Sequence, residues 1–100
     1  MVNIYSILIS DEAKEGVKNI SIFIRDQGYP ETAQKVKAKL LREISKLKTN
    51  PNRFSVFEPM KSPTTVFRSF TVWNYIIVYR VYELEKVVVI IDVFHGAVKK

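Results

Sequence analysis

The sequence has 100 residues and no cysteine, and its 16 basic and 10 acidic side chains give a net charge of +6. A chain of this length forms one domain around a single modest core, so we expect one domain over residues 1–100. The lack of cysteine excludes disulfides and thiolate metal sites. No apolar run approaches the roughly 20 residues that span a bilayer, and the first residues lack the basic and apolar regions of a signal peptide. We therefore expect a cytoplasmic protein without a membrane partner.

The first half of the chain predicts a strand followed by two helices. Residues 2–9 have the apolar composition of a strand, and Ser10 or Asp11 is placed to cap the helix behind it. Apolar residues then recur at helical spacing as far as Gly28, which ends the first helix. Pro30 stands at the start of a second amphipathic helix, where its missing N–H costs little. The short link predicts two antiparallel helices side by side.

Positive charge is concentrated on the second helix. Residues 30–50 contain six basic and two acidic side chains, so this segment carries +4 of the net charge of +6. The basic residues are Lys35, Lys37, Lys39, Arg42, Lys46 and Lys48. Such an excess favours an anionic partner, either nucleic acid or an acidic protein segment. The alternative is a solvated helix face that keeps the protein soluble.

The second half of the chain predicts a loop over residues 49–65 and then three strands over residues 66–98. The strands are rich in β-branched and aromatic residues and are interrupted at residues 73–74 and 83–86. The predicted order is therefore a strand, two helices and three strands. This order is typical of an α+β fold in which a helical hairpin packs on one face of a mostly antiparallel sheet.

Strand alternation predicts which side chains face away from the helices. On the last strand, we expect the aliphatic set Val87, Val89, Ile91 and Val93 to face the helices. With the connecting turn centred near Leu84, the opposite face is predicted to carry Ile76, Val78, Arg80, Val88, Ile90, Asp92 and Phe94. A mostly apolar surface with a few charges indicates a site for a macromolecular partner.

The side on which Arg68 lies depends on the length of one turn. A three-residue turn over residues 72–74 places Arg68 opposite Val78, on the face away from the helices. A two-residue turn over residues 73–74 places it opposite Tyr79, on the covered face. Because burying an unpaired arginine is costly, we expect the three-residue turn.

Enzyme motifs are sparse in this sequence. One histidine cannot make a two-histidine metal site, and the three glycines form no phosphate-binding loop, so we expect no metal and no cofactor. A metal-free ribonuclease would need only a proton acceptor, cations beside the phosphorane and an acid for the leaving oxygen. The groups available for these roles are Glu58, Lys61, Arg68, Arg80 and His95. The alternatives are structural: His95 can be a core histidine, Arg80 can pair with Asp92, and Glu58 can be solvated.

Five segments of the chain carry a family resemblance. They are YPETA at 29–33, ISKLKTNP at 44–51, FRSF at 67–70, NYIIVYR at 74–80 and VIIDVFHGA at 89–97. In this order and at this chain length they resemble the RelE/ParE superfamily of toxins from bacterial type II toxin–antitoxin modules. The resemblance implies a growth-inhibiting toxin that an antitoxin neutralises by wrapping around it in a hetero-oligomer.

The superfamily divides by target, and two positions favour one side of that division. RelE-like members cleave mRNA in the ribosome with several basic residues and often a C-terminal tyrosine or histidine, whereas ParE-like members lack that set and poison DNA gyrase. Ile76 stands where the RelE-like strand has an arginine, and no tyrosine follows His95. Two other features count against that side. ParE-like sequences commonly have an arginine where Val98 stands, and residues 58–61 are similar to a loop of YoeB-type nucleases that carries a catalytic glutamate.

The resemblance therefore predicts a ParE-like inhibitor of gyrase. The alternative is a RelE-like, ribosome-dependent endoribonuclease acting on mRNA through Arg68, Arg80, His95 and Glu58, and a degenerate relative that attacks nothing is a third possibility. We expect an acidic amphipathic antitoxin segment to bind the face away from the helices and the groove beside them. Lys37 and Arg42 are expected to steer that segment.

Overall fold

The computed structural model describes residues 4–60 and 62–96. Within them lie α1 (Asp11–Asp26), α2 (Pro30–Ser45) and the strands β1 (Ser6–Ile9), β2 (Arg68–Val72), β3 (Tyr75–Tyr82) and β4 (Val87–His95). The strands form one mixed sheet in the order β1-β4-β3-β2, with β1 parallel to β4 and the other pairs antiparallel. Both helices pack on one face of the sheet, which confirms the predicted α+β fold. Val2 and Asn3 of the predicted first strand, together with Lys61, Ala97 and Val98, lie outside the described residues.

The helix ends lie where the sequence predicted them. The Ser10 Oγ accepts a hydrogen bond of 3.1 Å from the Ala13 N–H, which caps α1. Gly28 adopts a φ of +98°, a conformation open to glycine without strain, where the chain turns from α1 toward α2. Pro30 is the first residue of α2. Neither of these two helices is long and apolar enough to cross a membrane.

In the first half of β4, each side chain points to the face opposite to the one predicted for it. Tyr82 pairs with Val87, so the pairing is displaced by one residue from a turn centred at Leu84. A displacement of one residue moves every side chain to the other face of a strand. Val88 and Ile90 are therefore fully buried in the core beneath the helices, and their assignment to the opposite face was wrong.

A β-bulge at Ile91 restores the predicted alternation in the second half of β4. The pairing with β3 passes from position 90 directly to position 92, which leaves Ile91 without a Cα partner. An extra residue of this kind shifts the alternation of the strand by one. Beyond it, Val93 is buried in the core as predicted, and Asp92 and Phe94 lie on the face away from the helices.

Arg68 lies on the side of the sheet that faces the helices, so the predicted three-residue turn was wrong. The β2–β3 turn has two central residues, with Trp73 at a φ of +55°, and Arg68 consequently pairs with Tyr79. Arg68 begins β2 and is only half-buried. Its Nη1 donates a hydrogen bond of 2.7 Å to the Phe54 carbonyl oxygen, which offsets the cost of partial burial.

The segment between α2 and β2 extends the core on the helix side. The Phe54 ring stacks on Phe70 with 4.5 Å between centroids. The hydroxyl of the fully buried Tyr79 donates a hydrogen bond of 2.5 Å to the Pro51 carbonyl oxygen. These two contacts fix the segment against the edge of the core.

The same segment also reaches the opposite face, which is therefore not bare. The Phe57 N–H donates a hydrogen bond of 2.7 Å to the Phe67 carbonyl oxygen, beside the edge of β2. The Phe57 ring centroid lies 6.4 Å from that of Phe94. Val78, which alternation places on this face, is fully buried. Part of the sheet face that was predicted to bind a partner is thus covered by the chain itself.

Candidate functional site

The face of the sheet away from the helices, here called the open face, combines apolar side chains with an arginine and an aspartate. It is formed by Ile76, Val78, Arg80 and Tyr82 of β3 and by Val87, Val89, Asp92 and Phe94 of β4. This set differs from the predicted one because Val88 and Ile90 belong to the core. The remaining five predicted residues do lie on it.

A groove of about 450 Å³ lies at one end of the open face. Its walls are Phe57, Pro59 and Met60 from the segment before β2, and Ile76, Ile91, Asp92 and Phe94 from the sheet. The Oδ1 of Asp92 accepts a hydrogen bond of 2.9 Å from the Val93 N–H, which orients this carboxylate. The groove therefore suits an apolar side chain that is accompanied by a positively charged group.

Arg80 occupies the other end of the open face. Its guanidinium carbon lies 4.3 Å from the centroid of the Tyr82 ring, a cation–π contact that holds the charge close to the sheet. The residue is half-buried and pairs with Val89 across the ladder. A positive charge thus borders an apolar surface, as it does in many protein–protein interfaces.

The structure does not bring the candidate catalytic residues together. Arg68 lies on the helix side of the sheet, whereas Arg80 lies on the open face. His95 pairs with Tyr75, and the rings of the two are perpendicular with centroids 5.4 Å apart. Along β3, position 75 is about 16 Å from position 80. General acid–base catalysis requires groups within hydrogen-bond reach of one substrate, so these three residues do not converge on one phosphate.

Glu58, the fourth candidate, begins the short 3₁₀ turn Glu58–Met60, which forms one wall of the open-face groove. Across residues 4–60 and 62–96, no group of three His, Asp or Glu side chains is arranged to hold a metal ion.

A second hollow, of about 600 Å³, lies between β1 and α2 and was not resolved as a distinct site from the sequence. Its lining includes Ile4, Ile7, Ile9, Leu41, Ile44 and Lys48. β1 is an edge strand, and Ile4 and Leu8 are 67% and 58% exposed. The apolar run at residues 7–9 was the available signal, because a strand that is apolar on both faces needs cover on both.

The two cations predicted to steer a partner point in different directions from α2. Lys37 and Arg42 are both exposed, and at 100° per residue they are separated by about 140° around the helix axis. Lys37 shares its side with Leu41, which lines the hollow beside β1. Arg42 does not line the hollow, and it shares its side of α2 with Lys35 and Lys39.

A carboxylate lies among the cations near Arg42. The Glu43 Oε2 is 2.9 Å from the Nζ of Lys46 and 3.3 Å from the Nζ of Lys39. The hydrogen bond from Lys46 is the main cause that lowers the pKa of Glu43. Glu43 therefore stays ionised at neutral pH and offsets part of the positive charge on this side of α2.

Comparison with known proteins identifies the family of this chain. The family model of the ParE toxin of the type II toxin–antitoxin system parDE matches residues 7–99. That region includes every strand and both helices except the first residue of β1. The comparison with curated proteins found no match.

Two solved structures share the fold. A chain of the chromosomal ParDE toxin–antitoxin system from P. aeruginosa superimposes with a TM-score of 0.75 and 19% identity, covering 93% of this chain and 97% of that chain. A chain of the toxin–antitoxin complex RelBE2 from Mycobacterium tuberculosis superimposes with a TM-score of 0.63 and 18% identity, covering 92% and 91% respectively. Because the family model spans almost the whole chain, this chain belongs to the ParE toxin family of type II toxin–antitoxin systems, within the RelE/ParE superfamily.

Proposed function

We propose that this toxin inhibits growth by binding DNA gyrase and that a cognate antitoxin protein neutralises it. The match of the ParE toxin family over residues 7–99 carries the proposal. The chain acts in the cytoplasm without a metal or a cofactor, and with its antitoxin it forms a hetero-oligomer.

The arrangement of charged residues supports gyrase over the ribosome as the target. A ribonuclease must place an acid, a base and a cation around one phosphate. In this fold Arg68 and Arg80 lie on opposite faces of the sheet, and His95 is remote from Arg80 along β3. An inhibitor that acts by binding needs instead a complementary surface, and the open face offers an apolar patch with one positive and one negative group.

The antitoxin is proposed to supply an acidic amphipathic segment. The net charge of +6 favours an acidic partner. The groove of the open face and the hollow between β1 and α2 are both lined mainly by apolar side chains, so either can take the apolar side of such a segment. The proposed contacts are those of Ile76, Arg80, Asp92 and Phe94 on the open face and of Lys37 and Arg42 on α2.

The test is a supercoiling assay with purified gyrase, relaxed plasmid and the purified toxin. We expect inhibition of supercoiling and accumulation of broken plasmid, with both effects reduced in an Arg80→Glu variant that stays folded. Lys18→Glu on the exposed side of α1 makes the same change of charge and is the matched control. Full gyrase activity at saturating toxin would reject gyrase as the target.

A RelE-like endoribonuclease is the alternative, favoured by the position of Glu58 beside the open-face groove. The assay for this activity measures cleavage of mRNA bound to ribosomes. Cleavage at the A site by the native protein, and its loss in folded His95→Ala and Glu58→Gln variants, would establish the activity. Induction in cells gives an independent answer, according to whether DNA replication or translation stops first. A soluble protein that binds its antitoxin but stops neither process is a degenerate member of the family.

A further inference from the structure

The β2–β3 turn presents a tryptophan in a conformation that its side chain disfavours. Trp73 has a φ of +55° and is 57% exposed. Left-handed backbone is uncommon for any residue other than glycine, asparagine or aspartate, and it is a genuine outlier for a bulky one. An exposed aromatic ring at such a position gains little from packing, so the strained backbone at Trp73 points to a role in binding.

A stripe of cations lies on α2 and on the residue that follows it, beside this ring. It consists of Lys35, Lys39, Arg42 and Lys46, which fall within about 60° of one another around the helix at 100° per residue. The Nζ of Lys39 lies 6.0 Å from the centroid of Trp73, so the stripe and the turn are adjacent. Lys35 and Arg42 are exposed, and neither forms an ion pair with any carboxylate in the described part of the chain. Glu43 engages the other two cations.

We propose that Trp73 and this cationic stripe bind single-stranded DNA. An unpaired base stacks on the indole, and the phosphates on either side of it contact Lys35, Lys39 and Arg42. Sites for single strands combine these two elements, an aromatic platform for a base and a positive track for the backbone. A peptide made of acidic residues alone would contact the cations and leave the exposed indole ring uncovered.

The choice of DNA over RNA rests on the proposed function, because gyrase holds DNA. A site of this kind lets the toxin recognise the enzyme together with its DNA substrate. It lies on the helix side of the molecule and leaves the open face available for protein. The two contacts can therefore be made at the same time.

The chain contains a single tryptophan, so fluorescence excited at wavelengths beyond the tyrosine absorption band reports on Trp73 alone. We expect quenching on titration with a 12-nucleotide oligothymidylate at low salt. A fluorescein-labelled copy of the same strand gives the affinity by anisotropy. Trp73→Asn suits the left-handed turn, so it should fold at least as well as the native protein and yet bind about tenfold more weakly or worse. Trp73→Tyr keeps a stacking surface and should retain most of the affinity.

The cations are tested through the salt dependence of binding. Replacing Lys35 and Arg42 together by glutamine should reduce the slope of log affinity against log salt by about 1.4. Replacing Lys14 and Lys18 on the exposed side of α1 by glutamine makes the same change of net charge and should leave the slope nearly unchanged.

Three results would overturn the inference: unchanged affinity in Trp73→Asn, equal competition by an oligoglutamate peptide of the same length, or tighter binding of oligouridylate than of oligothymidylate. The experiments also distinguish failure of this site from failure of gyrase as the proposed target. Inhibition of gyrase by a toxin that does not bind the oligonucleotide rejects this site alone. Quenching of Trp73 by the oligonucleotide without inhibition of gyrase rejects the proposed target alone.

Discussion

Gly16 of α1 lies directly on the backbone of Val93 in β4: a Cβ built on this glycine would be 2.1 Å from the Val93 carbonyl oxygen. Val93 is the first core residue after the bulge at Ile91. The helix therefore rests on the stretch of β4 that carries Asp92 and Phe94 on its other face. The position of α1 and the shape of the open face are coupled through this contact.

We expect Gly16→Ala to lower the free energy of unfolding by about 1–3 kcal/mol, because the obstacle is a backbone oxygen and the helix itself must shift. At an exposed helical position the same substitution stabilises by up to about 1 kcal/mol, so the sign of the change is informative. Urea unfolding followed by circular dichroism measures it, with Lys18→Ala on the same helix as a neutral control. A Gly16→Ala variant as stable as the native protein would mean that α1 does not depend on this contact.

The buried hydroxyl of Tyr79 fixes the loop that follows α2. Because Pro51 is also buried, Tyr79→Phe would leave its carbonyl oxygen without the hydrogen bond it accepts from this hydroxyl. We expect a loss of about 1–3 kcal/mol in the free energy of unfolding. Tyr82→Phe removes a hydroxyl from a half-exposed position on the open face and should change stability by less than about 0.5 kcal/mol. Equal effects of the two substitutions would show that the bond to Pro51 contributes nothing.

Burial raises the pKa of Tyr79 to about 12 from its ordinary value of 10.0. Between these two values the unfolded chain releases the phenolic proton while the folded protein keeps it. The contribution of this group to stability is therefore complete below pH 10 and is lost as the pH rises toward 12. The loss amounts to roughly 2–3 kcal/mol. Urea unfolding at several pH values between these limits should show a shallower decline in Tyr79→Phe than in the native protein, and parallel declines would contradict the assignment.

The helical half of this fold could be predicted from the sequence because its signals are local. Ser10, Gly28 and Pro30 each act on the residues next to them, through a cap, a left-handed turn and a fixed φ. The apolar spacing of α1 and α2 then determines the face that each helix buries. No contact distant in sequence is needed to place these elements.

The registers of the sheet could not be predicted, because each depends on a single residue. A two-residue turn at Trp73 in place of a three-residue turn moved Arg68 to the helix side. The displaced β3–β4 turn and the bulge at Ile91 exchanged the faces of half of β4. A positive φ is contrary to the preference of tryptophan, and an isoleucine within a run of aliphatic residues does not mark the position of a bulge, so the sequence carried no signal for either. Such exceptions are expected where function constrains the chain.

Arg68 and Arg80 were both candidates for catalysis, and the structure separates their roles. Arg68→Ala removes a charged donor from the Phe54 carbonyl oxygen and should cost about 1.5–3 kcal/mol of stability. Arg80→Ala removes a cation–π contact with Tyr82 and should cost about 0.5–1 kcal/mol. Urea unfolding of the two variants measures this difference. A larger loss for Arg80→Ala would contradict the stabilising role assigned to the hydrogen bond between Arg68 and the Phe54 carbonyl oxygen. Any loss of toxicity in Arg68→Ala must first be corrected for the fraction that is unfolded.

Reversal of charge on α2 separates the two sides of that helix in antitoxin binding. If the antitoxin segment is acidic, as proposed above, Lys37→Glu and Arg42→Glu should each slow its association at low salt, because both remove an attractive charge and add a repulsive one. The effect should fade at high salt, where the charges are screened, and the dissociation rate should change little.

Lys14→Glu and Lys18→Glu on α1 make the same change of net charge and are the controls. Stopped-flow mixing measures the rates. If Lys37→Glu slows association more than Arg42→Glu does, the antitoxin approaches over the hollow between β1 and α2, and the side bearing Trp73 stays free. If all four variants slow association equally, only net charge matters and neither residue steers the partner.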